Sequence, residues 1–294
     1  MSAFEAGPIG IAGGGRLGQA LGRLLRDRGE PIAAVACREL DRARAAAAFM
    51  GEDVAALPYA ELPRVAGRVL IAVSDDAIPS VAALLAASGL KGLALHTSGT
   101  LGPAALEPLA RKGVGCGSLH PLQTVPTPAQ GVAALPGAWF ALSGEARACA
   151  WARRIVDLIG GHAFEIPDER RPLYHAGAVM ACNFFAALLD AGVTLFGQAG
   201  LRREEALAAL TPLVTAGVAN ALHLGPERAL TGPFARGDVE SVRAHWAALA
   251  GEPEPLRELY RAAARYTIGL ARRSGLEETR ASEIERLLSG LDHE

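Results

Sequence analysis

The sequence predicts an α/β chain: a Rossmann-type doubly wound parallel sheet over residues 1–167, then an all-α domain over residues 168–294. Three observations carry this expectation. Up to about residue 165, short apolar runs alternate with helix-length amphipathic segments, the pattern of right-handed crossovers onto a sheet covered on both faces. A glycine-rich turn follows the first run directly. After "PDERRP" the strand pattern stops, and the remaining chain is periodic at helical spacing.

The strand candidates, in order, are "PIGIAG" (8–13), "PIAAVAC" (31–37), "RVLIAVS" (68–74), "GLALHT" (92–97), "GVGCGSLH" (113–120) and "AWFALS" (138–143). A last strand is expected over "HAFEIP" (162–167), and the Pro/Gly-rich loop "PLQTVPTPAQGVAALPG" (121–137) interrupts the alternation. Residues 172–198 read as one apolar helix, roughly 40 Å long at 1.5 Å per residue. Further helices are expected near 203–222, 238–250, 254–274 and 277–290, separated by "GP", "TGP", "GD" and "GEPEP". An apolar helix of that length must be surrounded, either by its own domain or by a second subunit. A homodimer through the helical half is the expectation.

The chain has 294 residues, 50% of them hydrophobic and 20% charged, with a formal net charge of −2. No block of like charge points to nucleic acid or to an anionic membrane. Cys37, Cys116, Cys149 and Cys182 fit no zinc or disulfide framework, and no metal site is expected. The N-terminal stretch lacks a basic region and a cleavage site, and no run reaches 18 uninterrupted apolar residues. A soluble cytoplasmic protein is expected. Only two lysines, Lys91 and Lys112, are present, so few are available for catalysis.

"IGIAGGGRLGQALG" carries Gly13, Gly15 and Gly18 as G-x-G-x-x-G between a strand and a helix. Gly13 permits the tight turn, Gly15 lets a pyrophosphate approach, and Gly18 allows close helix–strand packing. The helix N-terminus, with Arg16 and Leu17, supplies N–H donors and a positive dipole end. After the second strand, Arg38 stands where an acidic residue would hold a free ribose diol, with Arg42 one turn on. Guanidinium groups favour a 2′-phosphate, which points to NADP(H). Glu39 could instead accept from a ribose hydroxyl, which keeps NAD open.

Ligands of open parallel sheets sit beyond the carboxyl ends of the strands. The third apolar run delivers Ser74, Asp75 and Asp76 to that edge, read as cofactor-binding on the nicotinamide side. The fourth delivers "HTSGT" with Ser98 and Gly99, read as substrate-binding, and the fifth delivers His120. Each has a plainer reading: Asp76 as a helix cap, Ser98–Gly99 as a turn, His120 as a packed loop histidine. Hydride transfer between nicotinamide and a carbonyl or imine carbon needs a proton donor beside the developing charge. A histidine serves near neutral pH without a large pKa shift; His120, His175 and His96 are the candidates. His175 and Asn183 share one side of the long helix, where they could face a substrate or simply cap and brace the helix. In "LTGPFARGD", Thr231 and Arg236 are substrate-binding candidates: Arg236 could clamp a carboxylate, or pair with Asp238, which reads as a helix N-cap.

"GGGRLG", "SDDAI", "HTSG", "GSLHPLQT", "YHAGAVMACN" and "LTGPFARGD", in this order, resemble a family of NADP-dependent oxidoreductases with a Rossmann-like N-terminal domain and a helical C-terminal domain of unknown function. That family is similar to the 6-phosphogluconate dehydrogenase-like superfamily, whose helical domains dimerise and close the site over the nicotinamide. The similarity to prephenate and arogenate dehydrogenases, which carry a Ser after one strand and a His-Pro after the next, implies roles for Ser98 and His120. Hydroxyisobutyrate dehydrogenases place a catalytic lysine one turn before an asparagine on the interdomain helix, and ketopantoate reductases also carry a lysine on that helix. If Asn183 matches that asparagine, Val179 stands at the lysine position here, so the lysine mechanism is absent from that helix. The resemblance implies an NADP-dependent reductase or dehydrogenase of a small carboxylated carbonyl compound, ketopantoate being the named example. Prephenate-like or imine substrates, and a non-catalytic NADP sensor, are the alternatives.

Overall fold

The computed structural model describes residues 7–289. Eight strands form one sheet: β1 (Ile9–Ala12), β2 (Ile32–Ala36), β3 (Ala55–Leu57), β4 (Arg68–Ile71), β5 (Leu93–His96), β6 (Gly115–Pro121), β7 (Trp139–Gly144) and β8 (His162–Glu165), in the order β3-β2-β1-β4-β5-β6-β7-β8. β1 to β6 are parallel, β7 runs antiparallel to β6, and β8 is parallel to β7. The expected doubly wound sheet is therefore present, with two differences. β3 is three residues long at the sheet edge, too short to leave an alternating pattern in "DVAALP". The groups expected after the third, fourth and fifth strands thus follow β4, β5 and β6. The reversal at β7 arises in the Pro-rich loop: it contains only the short helix Pro128–Ala134, and Leu122 N donates to Trp139 O so that the chain re-enters beside β6 from the same edge.

The strands are buried on both faces, as near-continuous apolar runs require. Ile9, Ile11, Val35, Leu70, Leu95 and Leu119 face one core, completed by Phe140, Leu142 and the helices α1 (Arg16–Asp27), α2 (Leu40–Met50) and Ala146–Leu158. Ala12, Ala36, Val69, Ile71 and Ala94 face the other, beneath α3 (Ile78–Ala87) and the short turns at 59–64 and 103–110. At the amino edge Arg68 donates to Glu30 at 2.8 Å, both side chains 6% exposed, and Arg154 reaches the other Glu30 oxygen at 2.9 Å. Burial by itself would raise the Glu30 pKa; its hydrogen bonds from Arg154 and Arg68 outweigh that and hold the carboxyl below its ordinary range.

The chain divides into two compact units, Met1–Asn183 and Phe184–Glu294. The first ends with α4 (Arg171–Ala178) and a π-helical turn, Val179–Asn183, so the helix read as regular from 172 changes pitch at 179. The second is helical. α5 (Phe184–Gln198) packs on α6 (Arg203–Leu224) around Val193, Ala206 and Leu210. α7 (Val239–Ala248), α8 (Glu254–Arg273) and α9 (Glu278–Ser289) enclose Val242, Ala264, Ile268 and Ile284. Asp238 caps α7 by accepting from Ser241 N at 3.1 Å, as expected. The "GP" and "TGP" breaks each hold one helical turn, Pro226–Ala229 and Gly232–Arg236. Asp168–Gln198 and Arg203–Leu224 are long and apolar enough to cross a membrane by length and composition, a test that helices of soluble cores also pass.

Candidate active site

The phosphate-binding turn is built as its glycines require. Gly13 has φ +117°, and a side chain there would strike Ala72 O. A Cβ on Gly18 would lie 2.0 Å from Gly13 O, so only glycine lets α1 start this close to β1. At Gly15 the same test meets only open space out to 3.9 Å, and this residue heads α1 with no side-chain cap. The first N–H groups of α1 are thus left for a ligand.

A cavity of about 420 Å³ runs from this turn past Cys37, Arg38, Glu39, Arg42, Tyr59, Ser74 and Ser80. It fits the adenosine half of a dinucleotide, and Arg38 and Arg42 on its wall suit a 2′-phosphate. Ser74 lies at this end, not at the nicotinamide end expected of it. Asp76 turns back on Ser74, whose hydrogen bond is the main cause of its lowered pKa. A second cavity, about 390 Å³, continues past Gly15, Arg16, Leu17, Thr97, His120 and Gln123. A third, about 520 Å³, is lined by His120, Gln123, Thr124, Tyr174, His175, Cys182 and Asn183. His120 is common to the last two, the position a proton donor between nicotinamide and substrate requires. Asn183, expected beside it, reaches this wall from the π turn.

Around His120 the carboxyl edge is tightly wired. Ser98 Oγ donates to Asp75 Oδ2 at 2.7 Å and accepts from Thr100 N and Leu101 N. Its one proton and both lone pairs are used, so Ser98 shapes the loop and leaves nothing for the substrate contact expected of it. Asp75 serves the same loop and lies on none of the three cavities. His96 is fully buried, accepts from Ser98 N at 3.2 Å and faces Gly102 O at 3.1 Å. Both ring nitrogens are satisfied, so His96 is removed as a proton donor. Gly99 is where bulk is forbidden: a Cβ would come within 2.5 Å of His175 Nδ1 and 2.8 Å of His120 Nε2. His175 Nδ1 is buried with no hydrogen-bond partner.

Two residues not foreseen from the sequence complete the site. Tyr174 Oη lies 2.8 Å from His120 Nδ1, with the rings edge to face. Arg171 is fully buried, donating to Ser98 O at 2.7 Å and Ser143 Oγ at 3.2 Å. Arg171 sits in the charged run "PDERRP", where it reads as a solvated linker residue. Only the i, i+3 spacing from Arg171 to Tyr174 hinted that the two share a helix face. Thr231 and Arg236 belong to the helical unit. Arg236 is largely exposed and lies 4.0 Å from Asp238, the plainer of its two readings.

Burial pushes the pKa of His120 down to about 4, with the charges of His175 and Arg171 acting in the same direction. Burial likewise brings His96 down to about 4, with the charge of Arg171 acting in the same direction and the bond to Gly102 opposing it. The expectation of a histidine with little pKa shift is therefore corrected: both imidazoles are neutral at physiological pH.

Two family models match: a Rossmann-like domain over residues 6–121 and a domain of unknown function (DUF2520) over residues 138–267. The pairing expected from the motifs is what the chain carries. Among solved structures, a Bacteroides fragilis protein assigned as an NADP oxidoreductase is similar at TM-score 0.73 and 23% identity, over 91% of this chain and 100% of its own. A Thermotoga maritima protein is similar at TM-score 0.69 and 28% identity, over 90% and 100%. Plasmodium falciparum pyrroline carboxylate reductase, solved with NADP bound, shares the fold at TM-score 0.56 and 15% identity, over 96% and 98%. No curated protein matches the chain.

Two outcomes are expected. The unfolded chain binds protons at His96 and His120 below about pH 6.5 while the folded chain resists them down to about pH 4. Stability therefore declines across that window as pH falls, and thermal unfolding followed from pH 7 to 4.5 should show a smaller decline in His96→Gln. In Gly99→Ala the new methyl displaces both His120 and His175. Turnover should fall at least about 100-fold with dinucleotide affinity retained; unchanged turnover would show that this geometry is not used.

Proposed function

We propose that this chain, a Rossmann-like domain followed by a DUF2520 domain, is a cytoplasmic NADP(H)-dependent oxidoreductase acting on a small carbonyl compound. The observation that carries the reading is the position of His120, on the wall shared by the cavity leading from the phosphate-binding turn and the cavity lined by Tyr174, His175 and Asn183. The arginines on the adenosine side and the NADP-bound neighbour support NADP(H) over NAD. When bound, the dinucleotide would supply or accept the hydride. The turn Gly13–Gly18 would hold its pyrophosphate and Arg38 its 2′-phosphate.

Substrate choice follows from the wall of the third cavity, which has no acidic or guanidinium side chain and two imidazoles. His120 is neutral there, and Arg171 adds a positive field from behind. Such a wall stabilises negative charge developing on a carbonyl oxygen and disfavours a cationic iminium. A 2-oxo acid, ketopantoate included, is the preferred substrate class. An imine substrate is the second reading, favoured by the neighbour that acts on pyrroline carboxylate.

The decisive experiment is NADPH oxidation by purified protein against a panel of 2-oxo acids, ketopantoate among them, and cyclic imines, with NADH in parallel. Turnover on an oxo acid is expected, and Arg38→Ala should weaken NADPH binding about 10- to 100-fold while sparing NADH. Turnover on an imine alone would reverse the substrate assignment. Tight NADPH binding without turnover anywhere would make the chain a dinucleotide sensor.

We also propose that a second copy of the chain is the partner, covering the apolar side chains that the helical unit exposes, Phe184, Leu188, Leu207, Leu213 and Leu222. Sedimentation equilibrium should give a dimer, and the double variant Leu213→Glu, Leu222→Glu a monomer. A wild-type monomer soluble without detergent would refute this.

A further inference from the structure

We propose that Tyr174 and Arg171 are positioning residues that make neutral His120 a proton donor, Tyr174 by setting its tautomer and replacing its proton, Arg171 by stabilising the phenolate left behind. The proposal rests on the oxidoreductase reading above.

The difficulty it resolves is a shortage of acid. An imidazolium whose pKa is about 4 is populated at about 0.1% at pH 7, so His120 cannot wait in its charged form. The groups facing it do not change this: His175 and His96 oppose its charge, Arg171 opposes it, and Asp75 favours it but is committed to Ser98. A neutral imidazole can still hand on a proton if a second donor refills the ring as it leaves. Tyr174 Oη is placed for that, 2.8 Å from Nδ1. With the phenol donating to Nδ1, the ring hydrogen sits on Nε2, which faces Gly99 and the cavities.

The step balances as follows. The substrate carbonyl carbon gains a hydride from a dihydronicotinamide, and the C=O π pair moves to oxygen. That oxygen takes the proton of His120 Nε2; the N–H pair returns to the ring, and Nδ1 takes the proton of Tyr174 Oη. The products are an alcohol, a nicotinamide cation and a phenolate, which regains a proton from solvent. Forming the phenolate is the costly event, because burial raises the Tyr174 pKa. Arg171 offsets it: one helical turn before Tyr174, buried and without a carboxylate in ion-pair contact among the described residues, its charge lowers that pKa.

Two readouts test this. In full-length protein with ¹⁵N-labelled histidine and no dinucleotide, His120 should show the Nε2–H tautomer from pH 6 to 9. Tyr174→Phe should yield a mixed tautomer. An Nδ1–H tautomer in the wild type would overturn the proposal without any assay of turnover. In kinetics, wild-type kcat should be flat over the same range. Tyr174→Phe should lower it about 100-fold and make it fall with rising pH, about tenfold per unit, since His120 must then be charged from solvent. Arg171→Met should reproduce that slope, with Arg171→Lys restoring the flat profile. A flat profile at wild-type rate in Tyr174→Phe would overturn the relay and leave the oxidoreductase reading intact. A wild type that reduces nothing removes both the reading and the relay, even if the tautomer is as assigned.

Discussion

The carboxyl edge of the sheet is organised by one buried cation. Arg171 lies fully inside, with two of its donors on Ser98 O and Ser143 Oγ and its Nε without a partner. A desolvated guanidinium is expensive, and no carboxylate bonds it directly among the described residues. Its burial fixes the loop after β5 to β7 and to the first turn of α4 at once. The Ser98 loop, itself closed by Asp75, then sets Gly99 against the two imidazoles.

The same charge adds to what burial does to the site's electrostatics. Burial strips solvent from His96 and His120, and protonating either imidazole would add a second charge near the buried Arg171. Neutral rings follow. A wall of this kind offers hydrogen bonds and a positive field, with no free acid of its own, which suits chemistry in which an oxygen becomes negative.

Much of this could be read from residue order, and what could not has a physical cause. The turn at Gly13–Gly18 announces itself because Gly13 and Gly18 have no room for a side chain. His120 and Gly99 stand at strand ends, where position alone implies the edge. Ser98 sits at the edge its strand implies, but the sequence leaves its two readings, substrate contact and turn, undivided, since it cannot show that Asp75 and two backbone N–H groups saturate the hydroxyl. Arg171 was hidden because a charged residue in a charged run looks solvated, and burial is a property of the fold. Tyr174 was hidden because an aromatic at a helix start is normally packing. The π turn at 179–183 leaves no mark in a stretch of small apolar residues, and β3 is too short to show a period.

The reversal at β7 fixes a parity in the chain's path. Every strand from β1 to β6 climbs toward the edge where His120 sits, so a helix following any of them descends away from it. β7 and β8 descend, and the helix after β8 climbs. Arg171 therefore starts level with Ser143, deep in the sheet, and the following turns carry Tyr174, His175 and finally Asn183 up to the rim. Had β7 been parallel, the same sequence would have delivered those side chains to the opposite rim, out of reach of the dinucleotide turn. A contact between a histidine and a tyrosine 54 residues apart in the chain thus depends on the single reversal between β6 and β7, which makes the direction of one strand as much a part of the site as any side chain in it.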